Sequence, residues 1–593
     1  MRIRPVGFTA PLLMALLLVA SLASSSRMLA AEKSAAQLLP KSTLLYVSIP
    51  QPAELLDTIW NHPLRSQIEA LDVYQQAFDT AGYRQYRIGL ALVETTLGMN
   101  WRTAWKKLTG GGIHLAFDPQ TKGVLLLIKA EDAESQRRTV SLVIENFKRA
   151  AKKNDQPSQY KEHQYRGITS YQTKDFVVGV AKPWLILSNK GDLAKKVVDL
   201  YLDGGNETLA ASREFQQVQA GQDKSAIAWA YVGIQGLRDV GVKSPLLLGQ
   251  SGNPLNEVLF GGLLSNLQKT PYIAAELKLD NNQLQWSLQV PHKQQWISES
   301  RQYYFGPAAS GSAPVSRETK ETVFSLATHR DVSQMWLYSP DLYDDKMNES
   351  IAQAEGNLVM FFGGRDLAED ILGAFGPQWQ LIVTRQTFAK DQPLPAIQLP
   401  AFALDLRMKK PEVTTAEMRR TFLSLVGFVN VIGAMNGQPQ LDFDILKEAG
   451  KTIITSNYLP GEQTKKRGKA PINYNFSPTV TFQGERFILA STLGLARELL
   501  TARELPRAES PGGGKVNTTM QFHAAALKQI LADNQQQLVA QNMLSEGHSK
   551  EEAEKEIANI LELIELVRGM TVELIHRSEQ LELKGAILLK SSE

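Results

Sequence analysis

Short apolar runs alternate along this chain with stretches whose apolar residues recur every three or four positions. That alternation predicts strands joined by amphipathic helices. Ser42 to Ile49 reads as a strand closed by Pro50. Between Pro52 and Phe78, Leu55, Leu56, Ile59, Trp60, Leu64, Ile68 and Leu71 keep helical spacing, with Pro63 dividing two helices. A third helix, around Leu97 to Leu108, sets Trp101 and Trp105 four apart on one face. Ile113–Phe117 and Val124–Lys129 flank D-P-Q-T-K-G, a turn composition, and predict a hairpin. A helix from Ala133 to Ala150 follows, with Val140, Val143, Ile144 and Phe147 as its apolar face. Three short strands (Ile168–Tyr171, Phe176–Val180, Trp184–Leu187), a strand at Ala226–Val232 and a helix at Pro254–Gln268 come next. Tyr272–Leu279 and Gln283–Val290 close this half as a second hairpin across D-N-N.

The same order returns. Ser333–Tyr338 reads as a strand, and Gln380–Thr384 with Phe402–Met408 replaces the first hairpin. Arg419-Arg420-Thr421 in the next helix matches Arg137-Arg138-Thr139 in the earlier one. Ile186–Val198 (I-L-S-N-K-G-D-L-A-K-K-V-V) aligns without gaps on Ile488–Leu500 (I-L-A-S-T-L-G-L-A-R-E-L-L), in each case a strand entering a helix. Thr518–Phe522, the helix Lys550–Val567, and Val572–Ile575 with Gln580–Ile587 complete the second series. Ser549 before Glu551 and Glu552 is an N-cap composition. Collinearity, rather than any single match, predicts a tandem duplication. The fold class expected is α+β: two modules of antiparallel sheet, each covered on one face by amphipathic helices. Boundaries follow composition: residues 1–31 as signal peptide, 37–299 as first module, 300–321 as linker and 322–593 as second module. The linker contains Gly306–Ser316, G-P-A-A-S-G-S-A-P-V-S.

Composition then narrows the address. Arg2 and Arg4 precede the apolar run Pro11–Ala23, with Ala23, Ala30 and Ala31 as candidate cleavage positions, the pattern of an export signal. The run falls short of the ~20 residues a membrane-spanning helix needs. An uncleaved membrane anchor is the lesser alternative, and no later stretch is long and apolar enough to span. There is no cysteine in 593 residues, which removes disulfides, thiol nucleophiles and Cys-based metal sites. Exported chains without disulfides fit the bacterial envelope, periplasmic or extracellular. A net charge of +3 gives no polyanion partner to expect, so no nucleic acid.

Candidate chemistry is sparse. The histidines are His62, His114, His163, His292, His329, His523, His548 and His576, and none lies at metal-ligand spacing from another. His114 alternates with Leu115 and Phe117 as a strand-face residue would. Ser158-Gln159-Tyr160-Lys161 has S-x-x-K spacing but lies in a polar loop with no K-T-G partner. Gly512-Gly513-Gly514-Lys515 lacks the upstream glycine and the Ser or Thr of a phosphate loop. The acidic groups Asp442/Asp444 and Asp341/Asp344/Asp345 do not supply a calcium loop, and Lys465–Lys469 reads as a solvated basic loop. Seven of nine tryptophans precede the linker, at core-like spacing. These readings assign no catalytic, cofactor-binding or metal residue and no cofactor.

With L-L-P-K-S-T-L-L-Y-V (Leu38–Val47) near the start of the mature part and W-L-I-L-S-N-K-G-D-L (Trp184–Leu193) later, the chain resembles an uncharacterised family of exported bacterial proteins common in planctomycetes. The resemblance implies export and a strand-and-helix module; it brings no activity and no functional residue. The function expected is a non-enzymatic binding or scaffold protein of the envelope, its partner an envelope protein or a glycan. An envelope hydrolase acting on glycan or peptide at the module interface, and a carrier of lipid or another apolar ligand, are the alternatives. An enzyme should gather carboxylates or a histidine in one cleft and lose those residues in one copy; a scaffold should lack such a cleft and expose an apolar or aromatic patch instead; a carrier should enclose a deep dry cavity and co-purify with lipid.

Overall fold

In the computed structural model of the chain, residues 33–78, 80–153, 161–359, 362–388, 394–458, 469–506 and 514–590 are described. Two compact units emerge. One comprises Met1–Val242 with Pro271–Asn281, the other Lys243–Thr270 with Asn282–Glu593.

The first unit contains strands β1 (Leu45–Ile49), β2 (Gly112–Asp118), β3 (Gly123–Lys129), β4 (Lys161–Tyr165), β5 (Ile168–Gln172), β6 (Val177–Ala181), β7 (Trp184–Ser188), β8 (Ala228–Val232) and β9 (Ile273–Leu279). They form an antiparallel sheet in the order β9-β8-β1-β2-β3-β7-β6-β5-β4. Helices α1 (Ala133–Lys153) and α2 (Gly191–Asp203) cover it.

The second unit begins with helix α3 (Pro254–Leu267) and strand β10 (Gln283–Pro291). Its sheet continues with β11 (Thr322–His329), β12 (Phe375–Thr384), β13 (Ala401–Met408), β14 (Leu441–Glu448), β15 (Lys451–Tyr458), β16 (Thr479–Gln483), β17 (Arg486–Ala490), β18 (Lys515–His523), β19 (Val567–His576) and β20 (Gln580–Leu589). The antiparallel order is β10-β20-β19-β18-β11-β12-β13-β17-β16-β15-β14. Helices α4 (Pro411–Met435) and α5 (Leu493–Thr501) lie where α1 and α2 lie in the first unit: α4 follows β13 as α1 follows β3, and α5 follows β17 as α2 follows β7. From β19 to β14 the nine strands repeat, in chain rank, the order from β9 to β4.

Helices lie on both faces of each sheet, not on one as the sequence suggested. Val140 and Ile144 of α1 pack on Ile128, Val178 and Leu185. Leu193 and Val197 of α2 pack on Leu125, Leu127, Trp184 and Ile186, which point the other way. The physical reason is visible in β3 and β7, whose successive residues are nearly all apolar, the signature of strands buried on both faces. In the second unit, Met418, Phe422 and Val426 of α4 cover one face and Leu495, Ala496 and Leu499 of α5 the other.

Two other expectations are corrected. Ser333–Tyr338 is helical (Val332–Leu337), begun by the Asp331 side chain, which accepts from the Gln334 amide; the strand of this module is β11, eleven residues earlier. The stretch Gly306–Ser316 is not an open connection. It belongs to the second unit and follows Tyr303, Tyr304 and Phe305, all buried, with Ala309 and Ala313 buried within it. Its small residues serve close packing: a Cβ on Gly311 would stand 2.5 Å from the His329 ring. The helix Ala81–Leu97 and the hairpin β14–β15 were not anticipated.

Candidate functional site

The repeated strand-into-helix motif leads to the site. Ile186 and Ile488 are equivalent in the alignment, so Trp184, which opens β7, corresponds to Arg486, which opens β17. The ladders extend the match: Ile186 faces Leu127 and Ile488 faces Asp405, while Leu127 faces His114 and Asp405 faces Gln380. The row His114–Leu127–Ile186 in one sheet is therefore the row Gln380–Asp405–Ile488 in the other, and Trp184 and Arg486 stand two residues before those isoleucines, opposite Lys129 and Arg407.

In the first unit these positions are filled. Trp184 and Leu127 are buried, and the His114 ring stacks on Tyr46 and leans on Trp184 with centroids 5.8 Å away in both cases. Tyr46 in turn meets Phe215 and Trp229. His114 Nδ1 lies 2.9 Å from the Tyr46 hydroxyl and 3.0 Å from that of Ser48. Burial, aided by Lys129, pushes its pKa down to about 4. A Ser–His contact here has no carboxylate behind it and is shut inside an aromatic core, so it lacks the orienting third group of a hydrolytic triad.

In the second unit the row opens into a cleft of about 470 Å³, lined by Arg317, Arg407, Arg486, Asp405, Glu485 and Glu504, with Gln378, Gln380 and residues of the Ser312–Val315 strap. Asp405 and Arg486 form its floor, with side chains 7% and 17% exposed. The guanidinium donates from Nη2 at 2.6 Å and from Nε at 3.1 Å to Oδ2 of Asp405, and from Nη1 to Gln483 at 2.6 Å. Arg407 Nε donates to Glu485 at 2.6 Å and its Nη1 to Gln378 at 3.2 Å; Arg317 pairs with Glu504. The strap is held by amides. Gln380 accepts from Arg317 N–H at 3.0 Å and donates to Arg317 C=O at 2.8 Å and Ser325 Oγ at 2.7 Å. Gln378 donates to Ser312 C=O at 2.9 Å.

Three arginines and three carboxylates make a wall that is neutral in sum and dense in donors and acceptors. Each carboxylate meets a guanidinium: Asp405 that of Arg486, Glu485 that of Arg407 and Glu504 that of Arg317. The sequence reading missed these residues. The signal was two residues upstream of the recognised repeat, where W-L-I-L becomes R-F-I-L.

The residues singled out in sequence are scattered. Among the described residues no three His, Asp or Glu come together as a metal site would require. His292 and His576 meet edge to face at 4.7 Å with Phe305, and Nδ1 of His292 lies 2.9 Å from Asn266 Oδ1. His523 is 2.9 Å from Glu318, which raises its pKa. His548 is 3.2 Å from Glu556; His163 is exposed on β4. Asp442 and Asp444 are exposed on β14, and Asp344 caps the helix that begins at Asp345 by accepting from Met347 N–H. Residues 1–32, Ser158, Lys465–Gly468 and Gly512–Gly513 lie outside the described residues, while Lys161 opens β4 and Lys515 opens β18. Trp184 and Trp229 are core residues. Trp60 is covered by the guanidinium groups of Arg65 and Arg102, at 3.4 and 3.7 Å from the ring centroid.

No protein-family model matches the chain, and no curated protein matches it. Among solved structures, it is similar to crystal forms III and IV of TP0453, at 11% identity with TM-scores of 0.24 and 0.23. These cover 48% and 44% of this chain and 91% and 81% of the other. No helix among the described residues is long and apolar enough to cross a membrane.

Proposed function

We propose that the protein is an exported, non-enzymatic binding or scaffold protein of the bacterial envelope, built by duplication of one module. One observation carries the reading: at equivalent rungs of two sheets with one strand order, the first unit packs an aromatic core and the second opens a cleft rich in hydrogen-bonding groups. A duplicated module kept solid in one copy and hollow in the other supports structural support from the first and ligand contact from the second. The cleft suits a polar ligand without net charge, a glycan or a peptide segment, because its three charge pairs offer both donors and acceptors at no net potential. The same charges are poor lining for a lipid chain. Export rests on the N-terminal Arg2/Arg4 and Pro11–Ala23 pattern and on the absence of cysteine.

The test is native mass spectrometry of the purified chain, followed by calorimetric titration against envelope glycans and peptides and by turnover assays on the same compounds. Binding without turnover is expected, and Asp405→Leu/Arg486→Trp, which copies the first unit's side chains into the cleft, abolishes it. Turnover that disappears with Asp405→Asn or Glu485→Gln alone overturns the reading in favour of a hydrolase.

A further inference from the structure

Strand β11 ends at a second cavity. It holds about 310 Å³ and shares no lining residue with the cleft, although His329, the last residue of β11, stands opposite Gln378 in the ladder. Backbone bonds set its shape. Arg330 N–H donates to Pro377 C=O at 2.7 Å and Asp331 N–H to Tyr303 C=O at 3.1 Å. The chain leaving the strand is thereby tied to β12 on one side and to the segment after Arg301 on the other. Gly306, at φ +73°, lies against the His329 ring, where a Cβ would come 2.9 Å from Nε2. A side chain there would crowd the imidazole and fill the space beside it.

The lining is chemically one-sided: His329, Glu299 and Asp331 contribute to it, and no lysine or arginine does. His329 is 8% exposed. Unlike His292 on Asn266 and His523 on Glu318, its ring has no hydrogen-bond partner among the described residues. Burial, helped by Arg330 and opposed by Asp331, pushes its pKa down to about 4, so near neutral pH one ring nitrogen keeps a lone pair that nothing donates to. Glu299 has no ion-pair partner among the described residues, and Asp331 uses Oδ1 alone, accepting from Gln334 N–H at 3.1 Å. The neighbouring cation is turned away. Arg330 donates to Val258 C=O at 2.7 Å, Asn517 Oδ1 at 2.6 Å and Thr518 Oγ1 at 3.0 Å, with its guanidinium carbon 3.3 Å from the centroid of the Tyr304 ring. Buried acceptors are almost always satisfied. What this cavity lacks is a positive charge that brings N–H donors.

We propose that this cavity binds a primary ammonium group, carried by a free alkylamine or by a lysine side chain. An ammonium has three N–H donors, and the cavity offers three kinds of acceptor: the free oxygen of Asp331, the Glu299 carboxylate and the unpaired nitrogen of His329. Tyr338, Pro307 and Pro377 give apolar surface to the methylenes behind the charge. The volume stands at the small end of ligand sites, which suits a chain of a few carbons. The first unit has no such site. Ser48 faces His114 as Ala327 faces Gln380, so, counted on without a gap, Pro50, Gln51 and Pro52 stand where His329, Arg330 and Asp331 do. Ammonium binding here is independent of what the cleft takes.

Calorimetric titration of the full chain with diaminobutane and with Nα-acetyl-lysine amide tests this, with the Nε-acetylated form of the second compound as the uncharged comparison. At least one of the two ammonium compounds is expected to bind and the acetylated one not to; whichever binds more tightly tells a free amine from a lysine side chain as the source. Asp331→Asn keeps a side chain that can cap the helix, and Glu299→Gln changes an exposed position. Each is expected to raise the dissociation constant roughly tenfold, and the two together roughly 100-fold, with circular dichroism unchanged. Asp442→Asn on β14, the control, leaves it as in the parent. Failure of both ammonium compounds to bind, equal binding of the acetylated compound, or an affinity untouched in Asp331→Asn/Glu299→Gln overturns the proposal.

Discussion

Arg301 holds Glu257 with two guanidinium nitrogens, Nε at 2.6 Å from Oε1 and Nη2 at 2.7 Å from Oε2, at side-chain exposures of 6% and 0%. Tyr303 completes the enclosure, its hydroxyl within 2.8 Å of Glu257 C=O and 2.9 Å of Oε1. Arg301 also donates to Gly249 C=O at 2.8 Å. Gly261 leaves the room: a Cβ there would stand 2.2 Å from Glu257 Oε1. Removing one member of such a pair leaves a buried charge without its partner, whereas replacing both by apolar groups need not destabilise. Arg301→Met is therefore expected to lower stability by about 3–5 kcal/mol, and Arg301→Met/Glu257→Leu to recover most of that. Urea unfolding of the parent and both variants measures it; a double variant as unstable as the single would show that packing, not charge, is what the pair supplies.

Buried histidines make the fold sensitive to acid. Burial, with help from neighbouring cations or a second imidazole, pushes His114, His292 and His329 down to about 4, and His576 also lies below the usual value. Between the unfolded value near 6.5 and the folded value near 4, the unfolded chain binds more protons, so stability falls as pH drops through that window. His523 works in the opposite sense: its pKa is raised by Glu318, so its contribution is present below about 6.5 and fades as pH rises through its folded value. Four lowered groups outweigh it. Melting temperature is expected to drop steeply from pH 6.5 to 4.5, and His292→Gln to flatten that slope by one histidine's share. A melting temperature unchanged over this range would show these imidazoles to be hydrated in solution.

Much of this fold was legible in the sequence, and its misreadings share a cause. Strands and helices with a clear period were found, because periodicity reports one buried face. The segment Gly306–Ser316 was misread because small residues serve two physical ends, chain flexibility and close approach, and only the His329 ring lying against Gly306 and Gly311 tells them apart. Ser333–Tyr338 was misread because six residues carry too little period to separate strand from helix. The cleft left almost no local trace. Asp405 and Arg486 are 81 residues apart, and each is an ordinary charged residue until β13 and β17 are placed side by side.

The pairing of β10 with β20 shows how closely the second sheet is fitted. Trp286 lies directly opposite Gly585, and a Cβ on Gly585 would come within 2.5 Å of the indole ring atoms Cε2 and Cζ2. The glycine lets the indole lie flat across the neighbouring strand, an arrangement in which the aromatic ring compensates for the missing side chain. Gly585→Ala must lift the ring or spread the strands, and overpacking of this kind costs about 1–3 kcal/mol. Gly585→Ala/Trp286→Leu removes the clash and some of the packing together, so it should be more stable than Gly585→Ala yet less stable than the parent. Thermal unfolding of the three proteins orders them; a Gly585→Ala variant as stable as the parent would mean that the indole has another rotamer available and is not fixed by this contact.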